Sequence, residues 1–140
     1  MLLINPTGKG VRSDGWGNGH FGATRRDQGK RRKHKGTDYV VVPGQRIFAP
    51  ANAIYRRIAY PYADSREYTG GYFEGEDISY KIYYYKSTIK PGKKVLQGDT
   101  IGYSQDISNR YGLDRNGEKM VPHIHLEITS INPEILMGVT

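Results

Sequence analysis

The stretch Val121-Pro122-His123-Ile124-His125-Leu126-Glu127-Ile128 constrains this chain more than any other. Polar and apolar residues alternate along it, which is the period of a strand with one buried face. Ile124, Leu126 and Ile128 then share the face that needs a core, and His123 and His125 share the other. Two imidazoles a few ångströms apart on one strand face form a donor pair for a borderline-soft metal such as zinc.

A second source of ligands is His34-Lys35-Gly36-Thr37-Asp38, which opens an expected strand running through Tyr39-Val40-Val41-Val42 to the turn pair Pro43-Gly44. Gly36 and the β-branched run disfavour a helix. In an extended chain positions 34, 36 and 38 share a face, so His34 and Asp38 converge with room for a metal over Gly36. A lone His-x-x-x-Asp arises often by chance; its partnership with the His-x-His strand gives it weight. The chain has no cysteine, so nitrogen and oxygen are the only ligand atoms to hand. His34, Asp38 and His125 make a ligand set for one zinc and leave a fourth position for water, the mark of a catalytic rather than a structural site. His123, on the same face as a ligand, is placed to take a proton from that water.

The rest of the chain is expected to bring these stretches together. Its 140 residues suit one domain, and no apolar run approaches the ~20 residues of a membrane span. No signal peptide is visible at the start. Residues 1–24, with six glycines and Trp16, His20 and Phe21, read as an irregular arm packed on a body that spans 25–140. His20 is a possible additional site residue, although a lone histidine there is more simply a packing or surface group. Residues 25–35 form a basic loop, with seven Lys and Arg against Asp27 alone. With a net charge of +7, that loop favours an anionic partner. Short strands are expected at 46–49, 53–60, 78–86 and 100–103, long polar loops at 61–77 and 105–119, and one helical turn at 132–137. The fold class is therefore mainly β, an antiparallel sheet with long loops beside the site.

The motifs are familiar when taken together. His34-x-Gly36-x-Asp38, the Pro-Gly and Ala-Pro turns that follow, the sequence Lys94, Gly98, Gly102, Tyr103, and His123-Ile124-His125-Leu126-Glu127-Ile128 resemble the lysostaphin/LytM-type zinc metallopeptidases. The resemblance runs over roughly residues 15–135 and includes the Trp16–Ala23 segment. It implies a duplicated-hybrid-motif-like antiparallel sheet with a narrow groove walled by loops. It also implies zinc on His34, Asp38 and His125, His123 as catalytic histidine, and bacterial peptidoglycan (stem peptide or cross-bridge) as substrate at the cell wall. The family's Tyr-x-His-Leu-Ser-like strand reads Tyr83-Tyr84-Tyr85-Lys86-Ser87 here. Tyr85 is thus expected in place of a catalytic histidine, as an oxyanion donor, with Tyr83 as fallback and His20 as an alternative substitute or a cap on the zinc.

The alternative is a zinc-containing module of the same fold that grips cell wall or a protein partner without cutting. A nucleic-acid binder is disfavoured, because no zinc-finger spacing, RNP-like strand or recognition-helix pattern accompanies the basic residues. If residues 25–35 dock on an anionic wall polymer, binding to insoluble wall should weaken steeply as salt rises through ~0.15 M, where charges are screened over about 8 Å. Cleavage of a small neutral peptide should barely respond. Equal salt sensitivity in the two assays would remove the docking role.

Overall fold

The computed structural model of the chain describes residues 3–27 and 30–136. The parts of the sequence expectations that fall on residues 1–2, 28–29 and 137–140 lie outside the described residues. Along the chain, β1 (Ser13–Asp14) and β2 (Gly17–Asn18) pair as one small hairpin and β3 (Thr24–Asp27) and β4 (Lys30–Lys33) as another. There follow β5 (Thr37–Val40), β6 (Arg46–Phe48), β7 (Ala53–Ala59), β8 (Gly70–Glu74) and β9 (Ile78–Tyr83). Then come β10 (Tyr85–Ser87), β11 (Lys94–Val95), β12 (Thr100–Ser104), a 3-10 turn (Ile107–Arg110), β13 (His123–Ile131) and α1 (Pro133–Leu136).

The main sheet has six strands in the order β11-β7-β8-β9-β13-β5, and a three-stranded sheet runs β10-β12-β6. All pairings are antiparallel. The fold is therefore the mainly β, antiparallel class expected from the alternation. β13 lies between β9 and β5, and its inward residues Ile124 and Leu126 enter one core with Ile47, Tyr55, Phe73, Tyr80, Ile82 and Ile101. Each such buried side chain contributes roughly 1.5–3 kcal/mol of transfer free energy. The rings of Tyr55, Phe73 and Tyr80 stack in series at 5.1 and 4.9 Å between centroids, the offset spacing that aromatic pairs favour.

Three sequence expectations are corrected. The basic stretch at 25–35 is largely the β3–β4 hairpin rather than a loop: its backbone pairs across the strands, setting Arg25 opposite Arg32 and Arg26 opposite Arg31, with Asp27 opposite Lys30. The loop expected at 61–77 is cut short by β8, whose Gly70 and Gly71 pair with Tyr83 and Ile82. Those glycines are strand residues because β9 and the Tyr85 ring leave no space for side chains there: a Cβ on Gly71 would lie 2.6 Å from the Tyr85 hydroxyl.

The third correction concerns the tyrosine-rich strand. It does not run unbroken from 78 to 86. Tyr84 has a φ of 76°, in the left-handed region that costs a non-glycine residue of order 1–3 kcal/mol. The break is held by backbone bonds: the Tyr84 and Tyr85 N–H groups both donate to the Thr69 carbonyl, and Gln105 N–H donates to the Tyr84 carbonyl. The chain thereby leaves the six-stranded sheet at Tyr83 and joins the three-stranded one at Tyr85. The alternation resets, and Tyr85 points into the core at 0% exposure.

Tyr85 therefore does not reach the ligand face. Its hydroxyl has no hydrogen-bond partner among the described residues, and burial pushes its pKa well up. Removing that hydroxyl should relieve an unsatisfied buried group. Tyr85→Phe is expected to melt at the same temperature or higher, a gain of up to about 1–2 kcal/mol, with turnover unchanged. Tyr85→His should lower stability by about 1–3 kcal/mol through a buried polar ring. A large loss of turnover in a stably folded Tyr85→Phe protein would contradict this placement.

Candidate metal centre

The register of β13 against β5 sets His125 directly opposite Asp38 and His123 opposite Val40. His34 lies just before β5, outside the strand, where its backbone N–H donates to the Ala23 carbonyl and its carbonyl accepts from Gly22. The space over Gly36 is filled by the His125 imidazole: a Cβ on Gly36 would fall 2.7 Å from the ring. Glycine at this position lets β5 and the ring approach; it does not leave an open hole, as the sequence alone suggests.

His34, Asp38 and His125 come together. His34 Nε2 is 3.1 Å from His125 Nδ1 and 3.2 Å from Asp38 Oδ1, and His125 Nδ1 is 3.0 Å from the same oxygen. An ion held tetrahedrally at ~2.0–2.1 Å has donor atoms about 3.3 Å apart, so the triangle matches a metal-ligand set in size. It also matches in chemistry. A carbonyl oxygen only accepts, so His34 Nδ1–H donates to the His20 carbonyl at 3.1 Å and Nε2 carries a lone pair. His125 Nε2 donates to Glu127 Oε1 at 3.2 Å, which leaves its Nδ1 as the free lone pair. Three acceptor atoms thus converge in a buried place, and a cation satisfies all three. Such outer partners are how ligating imidazoles are held in their tautomer.

The electrostatics of the triangle bind its members to one another. Burial alone would raise the Asp38 pKa, yet hydrogen bonds from His125 and His34, with the nearby His123, hold it far below the usual carboxylate range. Burial opposes charge on His125, but its bonds with Asp38 and Glu127 raise its pKa above the ordinary 6.5. His123 goes the other way: burial lowers its pKa, with Asp38 opposing. Its Nδ1–H donates to the Val121 carbonyl at 2.8 Å, so Nε2 presents a lone pair, 3.7 Å from Asp38 Oδ2. His123 is thus a neutral, oriented base beside the ligand triangle.

This face floors a cleft of about 690 Å³. Tyr83 stacks on His125 at 5.8 Å, and Tyr84 meets His123 edge-on at 5.5 Å. Tyr84, rather than Tyr85, is the phenol beside the catalytic histidine of the resemblance. Burial pushes its pKa up to about 12, so it stays a protonated donor. Its hydroxyl shares a hydrogen bond with that of Tyr62, which bonds in turn to Tyr111. His20 does not supply its imidazole: the residue is exposed and serves through its backbone carbonyl. Sequence reasoning missed Arg12, Asp14, Tyr84 and Glu127. Glu127 was within reach, because it shares the period-2 face of His123 and His125; for Arg12 and Asp14 no local pattern exists.

If these three residues hold a metal, His34→Ala, Asp38→Ala and His125→Ala should each lose it, as read by elemental analysis of protein purified without added metal. Unchanged metal in a folded Asp38→Ala protein would reject the set. Protons and metal compete for His125, so the apparent metal affinity should fall as pH drops below its raised pKa. A flat affinity between pH 8 and 5 would contradict that competition.

No family model matches the chain. An uncharacterized metalloprotease of Haemophilus influenzae is 28% identical over 109 residues, covering 75% of this chain and 21% of that protein. A zinc-containing peptidase from Vibrio cholerae aligns with a TM-score of 0.61 at 18% identity, over 91% of this chain and 36% of its own. A candidate M23 peptidase from Pseudomonas aeruginosa aligns at 0.56 and 19% identity, over 99% and 51%. The chain spans about a fifth of the curated relative and about a third of the Vibrio protein. With its ligand face in this architecture, the chain has the fold of the M23 peptidases, and it resembles the lysostaphin/LytM-type zinc metallopeptidases.

Proposed function

We propose that the chain is a zinc-dependent endopeptidase that hydrolyses peptide bonds of bacterial peptidoglycan, in a stem peptide or a cross-bridge. One observation carries the reading: three lone-pair donors 3.0–3.2 Å apart lie beside a further imidazole, His123, which lines the same cleft and whose Nε2 is 3.7 Å from Asp38 Oδ2. A structural site needs no such neighbour. When bound, zinc supplies a Lewis acid that polarises a carbonyl and lowers the pKa of a coordinated water towards ~7. His34, Asp38 and His125 would hold it, and a single carboxylate among them would leave net positive charge on the centre.

The remaining work falls to the protein's own groups. His123 Nε2 accepts the proton of the attacking water and can return it to the leaving amine. Its lowered pKa keeps it in the accepting form at neutral pH. Tyr84 donates a hydrogen bond where charge develops on the carbonyl oxygen, a role that a phenol protonated up to about 12 can keep. Trp16, Tyr62, Tyr83 and Tyr111 line the cleft and provide flat faces for an extended peptide. Arg32 and Lys35 line it, and Arg31 and Lys33 are exposed on the same strand as Arg32, suited to anionic wall polymer. The cell wall is the site of action that this chemistry implies.

A second reading is kept alive by one feature. The segment expected to carry a histidine in active family members has tyrosines here, and the group it sets against His123 is the Tyr84 phenol rather than an imidazole, which suits a zinc module that binds wall peptides without cutting. Digestion of purified peptidoglycans of several cross-bridge types, with mass analysis of the fragments, separates the two. Wild-type protein should release peptide-cleaved fragments from at least one type. His123→Ala should keep its metal and lose about 10²–10⁴-fold in turnover. If fully loaded wild-type protein cuts none of them, the binding module is the better account.

A further inference from the structure

The segment 10–20, expected to be an arm packed on a finished body, is built into the metal centre. β5 is an edge strand of the main sheet, and this segment closes the edge. Val40 N–H donates to the Gly10 carbonyl, Arg12 N–H to the Asp38 carbonyl and Asp38 N–H to the Gly19 carbonyl, each at 2.8 Å. Val11 bridges Tyr39. The same segment gives the His20 carbonyl that sets the tautomer of His34.

Its most consequential side chain is Arg12, which is 3% exposed. Nη2 and Nε of Arg12 donate to Asp38 Oδ2 at 3.2 and 3.4 Å, while Asp38 Oδ1 faces His34 and His125. Nη1 donates to Asp14 Oδ1 at 2.7 Å and to the Gly17 carbonyl at 3.4 Å. Asp14 is held in turn: its Oδ2 accepts from Val121 N–H at 2.9 Å and its Oδ1 from Trp16 N–H at 2.8 Å. Among the described residues, Arg25 Nη2 at 3.6 Å and His123 Nε2 at 3.7 Å also face Asp38 Oδ2, too distant to fix its direction.

We infer that Arg12 is the positioning residue of the metal centre: its fork engages Asp38 Oδ2 so that Oδ1 alone is offered to the ion, and Asp14 anchors and neutralises the guanidinium. The inference rests on the metal-centre reading above. A carboxylate free to turn about its terminal torsion can offer both oxygens and fill the position that must stay open. Two donors on one oxygen prevent that rotation. A guanidinium placed behind a dication's ligand would by itself repel the ion, and the 2.7 Å pair with Asp14 cancels that charge locally. The pairing also explains why two carboxylates and a guanidinium are buried together: each is hydrogen-bonded, and removing one strands the others.

The test uses cobalt, whose visible spectrum reports coordination, in the full chain. Wild-type, Arg12→Met, Arg12→Lys and Asp14→Asn proteins are loaded with Co²⁺ and titrated with a competing chelator, with melting followed in parallel. Wild-type protein should take one ion with a four-coordinate spectrum. Arg12→Met should bind about 10–100-fold more weakly, the usual cost of losing an outer-shell partner. Its spectrum should shift towards higher coordination as Oδ2 joins. Arg12→Lys, with one ammonium in place of the fork, should recover only part of the affinity. Arg12→Met with wild-type affinity and spectrum would overturn the inference and leave the metal centre standing; a lower melting temperature alone would make Arg12 merely structural and overturn it too. Should Arg12→Met not fold, Asp14→Asn decides in the same way: weaker binding with a shifted spectrum supports the inference, and wild-type behaviour overturns it. Wild-type protein that takes up no ion would overturn both.

Discussion

The antiparallel pairing of β13 with β5 is the constraint on which the site depends. It sets His125 opposite Asp38 and leaves Ile124 and Leu126 on the core side. A shift of one residue would turn every side chain of β13 to the other face, burying the imidazoles and exposing the aliphatics. The two requirements, an apolar face for folding and a ligand face for chemistry, are met by one register. The same burial that stabilises β13 lowers the dielectric around the ligands, which strengthens their hydrogen bonds and raises the penalty for leaving any one unpaired. Hence the ring of outer partners: the His20 carbonyl, Glu127, Val121 and Arg12.

How far this was legible in the sequence differs between its parts. The His-x-His strand and the His-x-Gly-x-Asp segment are local patterns, and the period of a strand sufficed to place His123 and His125 on one face and the aliphatics on the other. Most strands and the mainly β class followed from alternation and turn residues. The tyrosine strand did not, because alternation holds only while the backbone stays extended. A single residue at φ 76° resets it, and nothing in Tyr83-Tyr84-Tyr85 marks which of the three takes that conformation. Gly70 and Gly71 misled for a related reason. Glycine usually punctuates loops, but here close packing on Tyr85 and Tyr83 demands it inside β8.

The outer shell was the least legible part. Arg12 is separated from Asp38 by 26 positions and has no periodic relation to it. In a chain of net charge +7, with seven basic residues at 25–35, one more arginine carries no signal. What distinguishes it is burial between two carboxylates, a property of the fold rather than of any window of sequence. The glycine-rich stretch that looked least structured proves to be an edge partner of the main sheet, because glycine allows the backbone to come within bonding distance of β5: a Cβ on Gly19 would sit 2.9 Å from that of Asp38.

The three phenols along the cleft wall carry a consequence of their own. Tyr84 bonds to Tyr62 and Tyr62 to Tyr111, and Arg110 lies 3.5 Å over the Tyr62 ring. Each hydroxyl has one hydrogen to give. If Tyr84 turns its hydrogen towards a ligand in the cleft, its oxygen becomes the acceptor for Tyr62, and Tyr62 in turn accepts from Tyr111. The row therefore has two directions, and reversing it moves three hydrogens together without changing any heavy-atom position. A group arriving at the Tyr111 end, two hydrogen bonds from Tyr84, would bias the direction of the whole row. Occupancy at one end of the wall becomes polarity at the other.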